Sequence, residues 1–150
     1  MTVNVQDKPT TVANAATIKE SIAAFTKGDL DRIVGFYAED AETLDPTGKY
    51  KGKAEIRASF KVWHDAFPDA KGDVTNQISE GSQVLSEVMF RGTHTGPLAG
   101  KMGVIPPTGK SVELRIAIVS WFRDGKVQRE RSYFDLNTLT TQLGLAKPQS

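Results

Sequence analysis

SVELRIAIVSWFRDGKVQRERSYFD, residues 111–135, decides how this chain folds, because it holds two extended segments joined by Asp124-Gly125. A two-residue type I′ turn needs positive φ at both central positions, which Asp and Gly tolerate, so Arg123 is expected opposite Lys126 in an antiparallel hairpin. Side chains alternate along a strand, and the apolar row Val112, Leu114, Ile116, Ile118 marks the face that other elements cover. Counting from the turn without interruption places Arg129, Arg131, Tyr133 and Asp135 on that same inner face, with Leu114 across from Asp135. Glu113, Arg115, Trp121 and Glu130 then fall on the outer face, a mixture suited to solvent or to a dimer contact.

Working outward, period-two patterning extends the sheet to strands at about 72–79 and 83–94, beside 111–123 and 126–136. The first half of the chain has helical spacing instead. Ile18, Ile22 and Phe25 form one stripe, and Gly28 followed by Asp29 reads as a stop and then an N-cap. Leu30, Ile33, Val34 and Tyr37 mark a second, short helix. Thr43–Asp45 is a short extended piece ended by Pro46 and Gly48, and Ile56, Phe60, Trp63 and Phe67 mark a third helix over 53–67. A last helix is expected over 138–143, before Gly144. Residues 1–9 are expected to be a flexible arm, and 10–150 a single domain. Helices first and an antiparallel sheet second predict an α+β fold with the helices on one face of a strongly curved sheet.

The 150 residues suffice for one buried core. Nineteen basic and eighteen acidic residues nearly cancel, and no basic stripe with interleaved aromatics appears, which argues against nucleic-acid or membrane-surface binding. The absence of cysteine excludes a thiol nucleophile or a zinc–thiolate site, and two histidines thirty residues apart form no metal motif. No segment approaches the length of a membrane span or has the layout of a secretory signal, so a cytoplasmic location is expected.

Asp135 is the leading catalytic candidate from the residues alone. A carboxyl sent inward either finds a partner or binds its proton more tightly, and a raised pKa suits a general acid near neutral pH. Arg131, two residues away on the same face, is the candidate partner, and a purely structural Arg131–Asp135 ion pair is the competing reading. Asp45 is a second acid at the end of the first extended piece, where Asp-Pro is also an ordinary turn signal. His64 lies near the apolar stripe of the third helix, and His94 stands where a strand gives way to a loop. Either can contact ligand or bond nearby backbone. Phe60, Trp63, Phe67, Tyr37, Tyr133 and Ile118 are candidates for the walls of an apolar pocket. GTHTGPLAGKMGVIPPTGK, residues 92–110, carries five glycines and three prolines. It reads as a lid offering Met102, Val104 and Ile105 to a ligand, with a long hairpin connection or a dimer contact as the alternatives.

The ordered motifs AFPD, GTHTG, IPPTGK, RDGKV and a strand ending YFD before LTTQLG resemble the SnoaL-like polyketide cyclases over roughly Ile18–Leu145. The resemblance implies the cone-shaped α+β fold of nuclear transport factor 2 and ketosteroid isomerase, a homodimer, and an apolar pocket for a carbonyl-containing small molecule. It also implies an intramolecular aldol closure with no metal or organic cofactor, in which Asp135 matches the general acid/base. RIAIVSWF, residues 115–122, lacks the assisting histidine of the characterised cyclases, and Arg131 stands where many relatives carry an aromatic residue. KGDLDRIVGFYAEDAETLDPTG, residues 27–48, is similar to the stretch of ketosteroid isomerases that contains their base, which Asp45 matches. Limonene-epoxide hydrolases share the fold, and Asp45, Arg131 and Asp135 approximate their Asp-Arg-Asp set. Two functions follow as expectations: a cofactor-independent cyclase or isomerase, and a non-catalytic binding or dimerisation module of the same fold.

Overall fold

Gly28 ends the first helix, α1 (Asp7–Lys27), with φ of +73°, and the Asp29 carboxylate then accepts the Arg32 N–H at 3.1 Å to start α2 (Leu30–Gly35). Both punctuation marks lie where the residue types demand them. The glycine serves a second purpose, since a Cβ at position 28 would stand 2.6 Å from His64 Nε2. The computed structural model describes residues 7–100 and 103–145. Of the expected arm, residues 1–6 lie outside the described residues, and residues 7–9 already belong to α1, with Pro9 in the first turn, where its missing N–H costs nothing.

The remaining elements follow as β1 (Tyr37–Asp45), β2 (Gly48–Lys51), α3 (Gly52–Ala66), β3 (Lys71–Glu80), β4 (Gln83–Thr93), β5 (Leu98–Gly100), β6 (Gly103–Ile105), β7 (Ser111–Arg123), β8 (Lys126–Tyr133) and α4 (Leu136–Gln142). Six strands form one sheet in the order β2-β1-β8-β7-β4-β3, and β5 pairs with β6 apart from it. The sheet is mixed, not purely antiparallel as expected, because β1 runs parallel to β8. It curves round α1 and α3 without closing into a barrel. Ile18, Phe25, Ile56, Phe67, Phe90, Val112, Leu114 and Leu139 form the heart of the core between helices and sheet. Tyr37, expected on α2, instead opens β1 and is buried.

The hairpin turn forms as its residues predict, with Asp124 at φ 52°, Gly125 at φ 76° and Arg123 opposite Lys126. The ladder then breaks. Phe122 pairs with Val127, but Trp121 pairs with Arg129, so Gln128 is an extra residue in β8. Such a bulge reverses the facing of every later side chain on its strand. Glu130, Ser132 and Phe134 therefore point inward, while Arg129, Arg131 and Tyr133 point outward. The guanidinium carbons of Arg129 and Arg131 lie 4.2 and 5.7 Å from the Trp121 ring centroid on the outer face. Tyr133 is 56% exposed there. Beyond Tyr133 no strand among the described residues lies beside that edge of β7, and the Gln142 amide of α4 bonds both the N–H and the C=O of Glu113.

Among the described residues, no helix is long and apolar enough to cross a membrane.

Candidate active site

A cavity of about 130 Å³ lies between α1, α3 and the concave face of the sheet. Phe25, Tyr37, Phe60, Trp63, Phe90 and Phe134 supply its aromatic wall, and Ile18, Val88, Leu114, Ile116 and Ile118 its aliphatic surface. The rings brace one another: Trp63 meets Phe134 edge-on at 5.7 Å and Phe90 at 6.1 Å, and Phe60 lies 6.1 Å from Phe25 and 6.2 Å from Tyr37. Few polar groups interrupt this surface.

Glu130 is the acid that reaches this cavity from β8. The bulge at Gln128 turns it inward, where it is 8% exposed and faces the cavity beside Thr43, its register partner on β1. Tyr37 OH donates to Glu130 Oε1 at 2.7 Å and Ser120 Oγ donates to Oε2 at 2.9 Å. Loss of water raises the Glu130 pKa above its ordinary value, and the two hydroxyl donors offset only part of that effect. Burial, reinforced by the neighbouring carboxylate, raises the Tyr37 pKa well above its ordinary value. Tyr37 is thus fixed as a neutral donor, and Glu130 as a carboxyl that holds its proton more tightly than one in water.

Asp45 reaches the same cavity from β1. It is half-buried near the exposed Leu44, so these two residues mark the rim. Its Oδ1 accepts both the N–H and the hydroxyl of Thr47, and that hydroxyl lies 2.7 Å from Tyr50 OH. The turn that Asp-Pro signalled and a place at the cavity are both present in the one residue.

Of the expected wall residues, Phe60, Trp63, Tyr37 and Ile118 line the cavity. Phe67 is fully buried in the core behind it, stacked on Trp63 at 6.2 Å. Asp135 does not line it. Its carboxylate accepts the Asn137 N–H at 2.9 Å and the Thr138 hydroxyl at 2.9 Å, capping α4 at an exposed position, and no ion pair joins it to Arg131 among the described residues. Arg131 and Tyr133 are removed to the outer face by the bulge. His64 packs on Phe25 edge-on at 6.2 Å and over Gly28, away from the cavity.

His94 is buried under its own loop. Its Nδ1 accepts the Thr108 N–H at 3.2 Å and lies 3.0 Å from the Thr108 hydroxyl, while its ring sits 5.4 Å from Phe67. Burial lowers its pKa. The loop it anchors is not a cover over the cavity. Gly96 donates to the Ala66 carbonyl at 3.1 Å, a Cβ there would stand 1.9 Å from the Asp65 carbonyl oxygen, and Leu98 is buried, so the segment is clamped to the end of α3. Val104 is exposed, none of the described residues of 92–110 lines the cavity, and Met102 lies outside the described residues.

Glu130, Ser120, Ser132 and Phe134 are the site residues that sequence reasoning missed. A signal was present in the composition of β8: an uninterrupted register buries two arginines and exposes Phe134, the costlier of the two facings.

Curved sheet, covering helices and an apolar cavity with an inward acid define the cone-shaped α+β class of nuclear transport factor 2. Within that class the chain belongs to the SnoaL-like polyketide cyclase family, whose model matches residues 16–143. IdmH from Streptomyces antibioticus is 26% identical, with a TM-score of 0.73 over 87% of this chain and 98% of that one. A SnoaL-like protein from Jannaschia sp. CCS1 is 22% identical and superimposes with a TM-score of 0.82 over 93% of this chain and 96% of its own. A protein with a ketosteroid isomerase-like fold from Catenulispora acidiphila is 17% identical, with a TM-score of 0.73 over 88% and 97%. No curated protein sequence matches the chain.

Proposed function

We propose that this protein is a cofactor-independent cyclase or isomerase that moves a proton at a carbon beside a carbonyl, with Tyr37, Glu130 and Asp45 as its working groups. Family membership supports the class of reaction. The observation that carries the assignment of residues is a carboxyl buried in a mostly apolar wall between two hydroxyl donors.

The protonation state of Glu130 governs what Tyr37 can do. As a carboxylate, Glu130 accepts the tyrosine O–H and keeps it from a ligand. As a neutral acid it donates to the tyrosine oxygen, and the tyrosine O–H is then free to bond a substrate carbonyl. Asp45 takes the proton from the adjacent carbon, the C–H electron pair becomes the enolate π bond, and the negative charge on oxygen is stabilised by the Tyr37 donor. The enolate carbon then attacks a second carbonyl within the same molecule, closing a ring, or recovers its proton at another carbon. The proton on Asp45 returns to the product in either case.

Deuterium exchange in D2O tests this without knowledge of the physiological substrate. A panel of small ketones and 1,3-dicarbonyl compounds is expected to gain deuterium beside the carbonyl in the presence of the protein. Asp45→Asn and Tyr37→Phe are each expected to lose about a hundredfold or more of that rate. Saturable ligand binding with no exchange by any compound would overturn the catalytic reading in favour of the binding module.

A further inference from the structure

We infer that the reacting part of the ligand is a single six-membered ring, or an acyclic group of that size, carrying one oxygen toward Tyr37, and that Phe134 sets this limit. The inference rests on the proposed site and adds the size and shape of what enters it. The cavity holds about 130 Å³, close to the roughly 150 Å³ of a dry engineered cavity that accepts benzene and well below the roughly 300–1,000 Å³ of a pocket for a drug-sized molecule. A flat fused ring system therefore does not fit unless a wall moves.

The walls resist moving. Trp63 is held edge-on between Phe90 and Phe134 and stacked on Phe67, and Phe60 is packed between Phe25 and Tyr37. Displacing one ring displaces its neighbours, and close-packed interiors repack only at a cost of a few kcal/mol. Phe134 differs from the rest. It stands one residue past the end of β8, is half-buried, and makes its ring contact with Trp63 alone among the described residues. It is the wall residue whose removal enlarges the cavity with the least loss of core. A flexible tail has an exit past Leu44 and Asp45 at the rim, but a second fused ring beside the first does not.

The two tryptophans give two indole N–H resonances in a 15N-labelled sample, and Trp121→Phe, on the outer face, identifies the one from Trp63. Titration with phenol is expected to shift the Trp63 signal and saturate, with affinity falling roughly tenfold or more for a naphthol and again for a phenanthrol. Phe134→Ala, checked for retained fold by its dispersed spectrum, is expected to bring the naphthol to the affinity of phenol. Should that variant unfold, Phe134→Leu offers a smaller enlargement of the same wall, and the wild-type ranking already tests the size limit. Equal or tighter phenanthrol binding by the wild type, or no shift with phenol, would overturn the inference. Size selection without deuterium exchange would retain the inference and remove the catalytic reading, and exchange without size selection would do the reverse.

Discussion

Glu130 stands directly across the ladder from Ser120 and accepts its hydroxyl at 2.9 Å. An uninterrupted count from the Asp124-Gly125 turn would place Arg129 opposite Ser120, and the bulge at Gln128 makes the difference between an arginine and an acid in the cavity wall. Disulfide trapping on the outer face tests this register, in a chain that has no cysteine of its own. Val119 pairs with Arg131, so Val119→Cys with Arg131→Cys is expected to cross-link on oxidation, whereas Ile118→Cys with Arg131→Cys, whose side chains leave opposite faces, is not. The reverse pattern on non-reducing electrophoresis would restore the uninterrupted ladder.

What the sequence disclosed and what it hid divide along one physical line. Features set by local backbone chemistry were legible: the Gly28 stop, the Asp29 cap, the primed turn at 124–125 and the inward row of β7 each follow from the preferences of a few neighbouring residues. The bulge was not legible in this way, because nothing in Val127-Gln128-Arg129 demands an unusual backbone conformation, and its trace lies only in the composition of β8 as a whole. The Gln128 side-chain amide donates to a partner far away in sequence, the Asp40 carboxylate on β1, at 3.1 Å. The 92–110 segment misled for the same reason. Its glycines read as freedom to bend, yet at Gly96 the missing side chain admits the Asp65 carbonyl. Asp45 and four of the expected wall residues line the cavity, although β1 also shifts register, between Tyr37 and Glu42.

That clamp at Gly96 makes its own prediction. A methyl group at this position cannot coexist with the Asp65 carbonyl oxygen 1.9 Å away, and backbone on both sides leaves no flexible side chain to give way. Gly96→Ala is expected to destabilise the protein by about 2 kcal/mol or more in chemical denaturation. Gly81→Ala, where a Cβ meets nothing within 4 Å but φ is +57°, is expected to cost less, about 1 kcal/mol, from backbone strain alone. Equal losses at the two positions would show that the loop is free of α3.

Asp135 is expected to matter for stability and not for exchange chemistry. Its side chain satisfies the Asn137 N–H at the start of α4, so Asp135→Ala is expected to cost about 1 kcal/mol while Asp135→Asn, itself a good cap, costs little. Neither change is expected to alter deuterium exchange in the panel of carbonyl compounds. A large loss of exchange in a fully folded Asp135→Asn protein would return this residue to the mechanism.

Glu130 couples the site to pH. Its folded pKa lies above its ordinary value of 4.5, so between those two values the folded state binds more protons than the unfolded chain, and the stability linked to this group falls as pH rises through that window. Glu130→Gln keeps one acceptor and supplies an amide donor without a buried charge. The variant is therefore expected to melt higher than the wild type at about pH 8, with the advantage shrinking as pH falls toward 4.5. A constant difference across that range would mean that Glu130 does not titrate differently on folding.

His94 acts with the opposite sign. Burial lowers its pKa below the ordinary 6.5, so below 6.5 the unfolded chain takes up a proton that the folded protein refuses, and stability is lost as pH falls through that region. Protonation at Nδ1 also removes the acceptor of the Thr108 N–H and sets a donor against a donor where the two ends of the 92–110 loop meet. In His94→Asn the side-chain oxygen can replace Nδ1 as acceptor but does not titrate. The variant is expected to be less stable than the wild type at about pH 7.5, because it loses the ring packed on Phe67, and to lose less stability than the wild type on acidification to about pH 5. Taking the difference between the two proteins at each pH removes the pH dependence that both share, that of Glu130 included. Parallel melting curves across the range would show that the buried imidazole is not what ties this loop to pH.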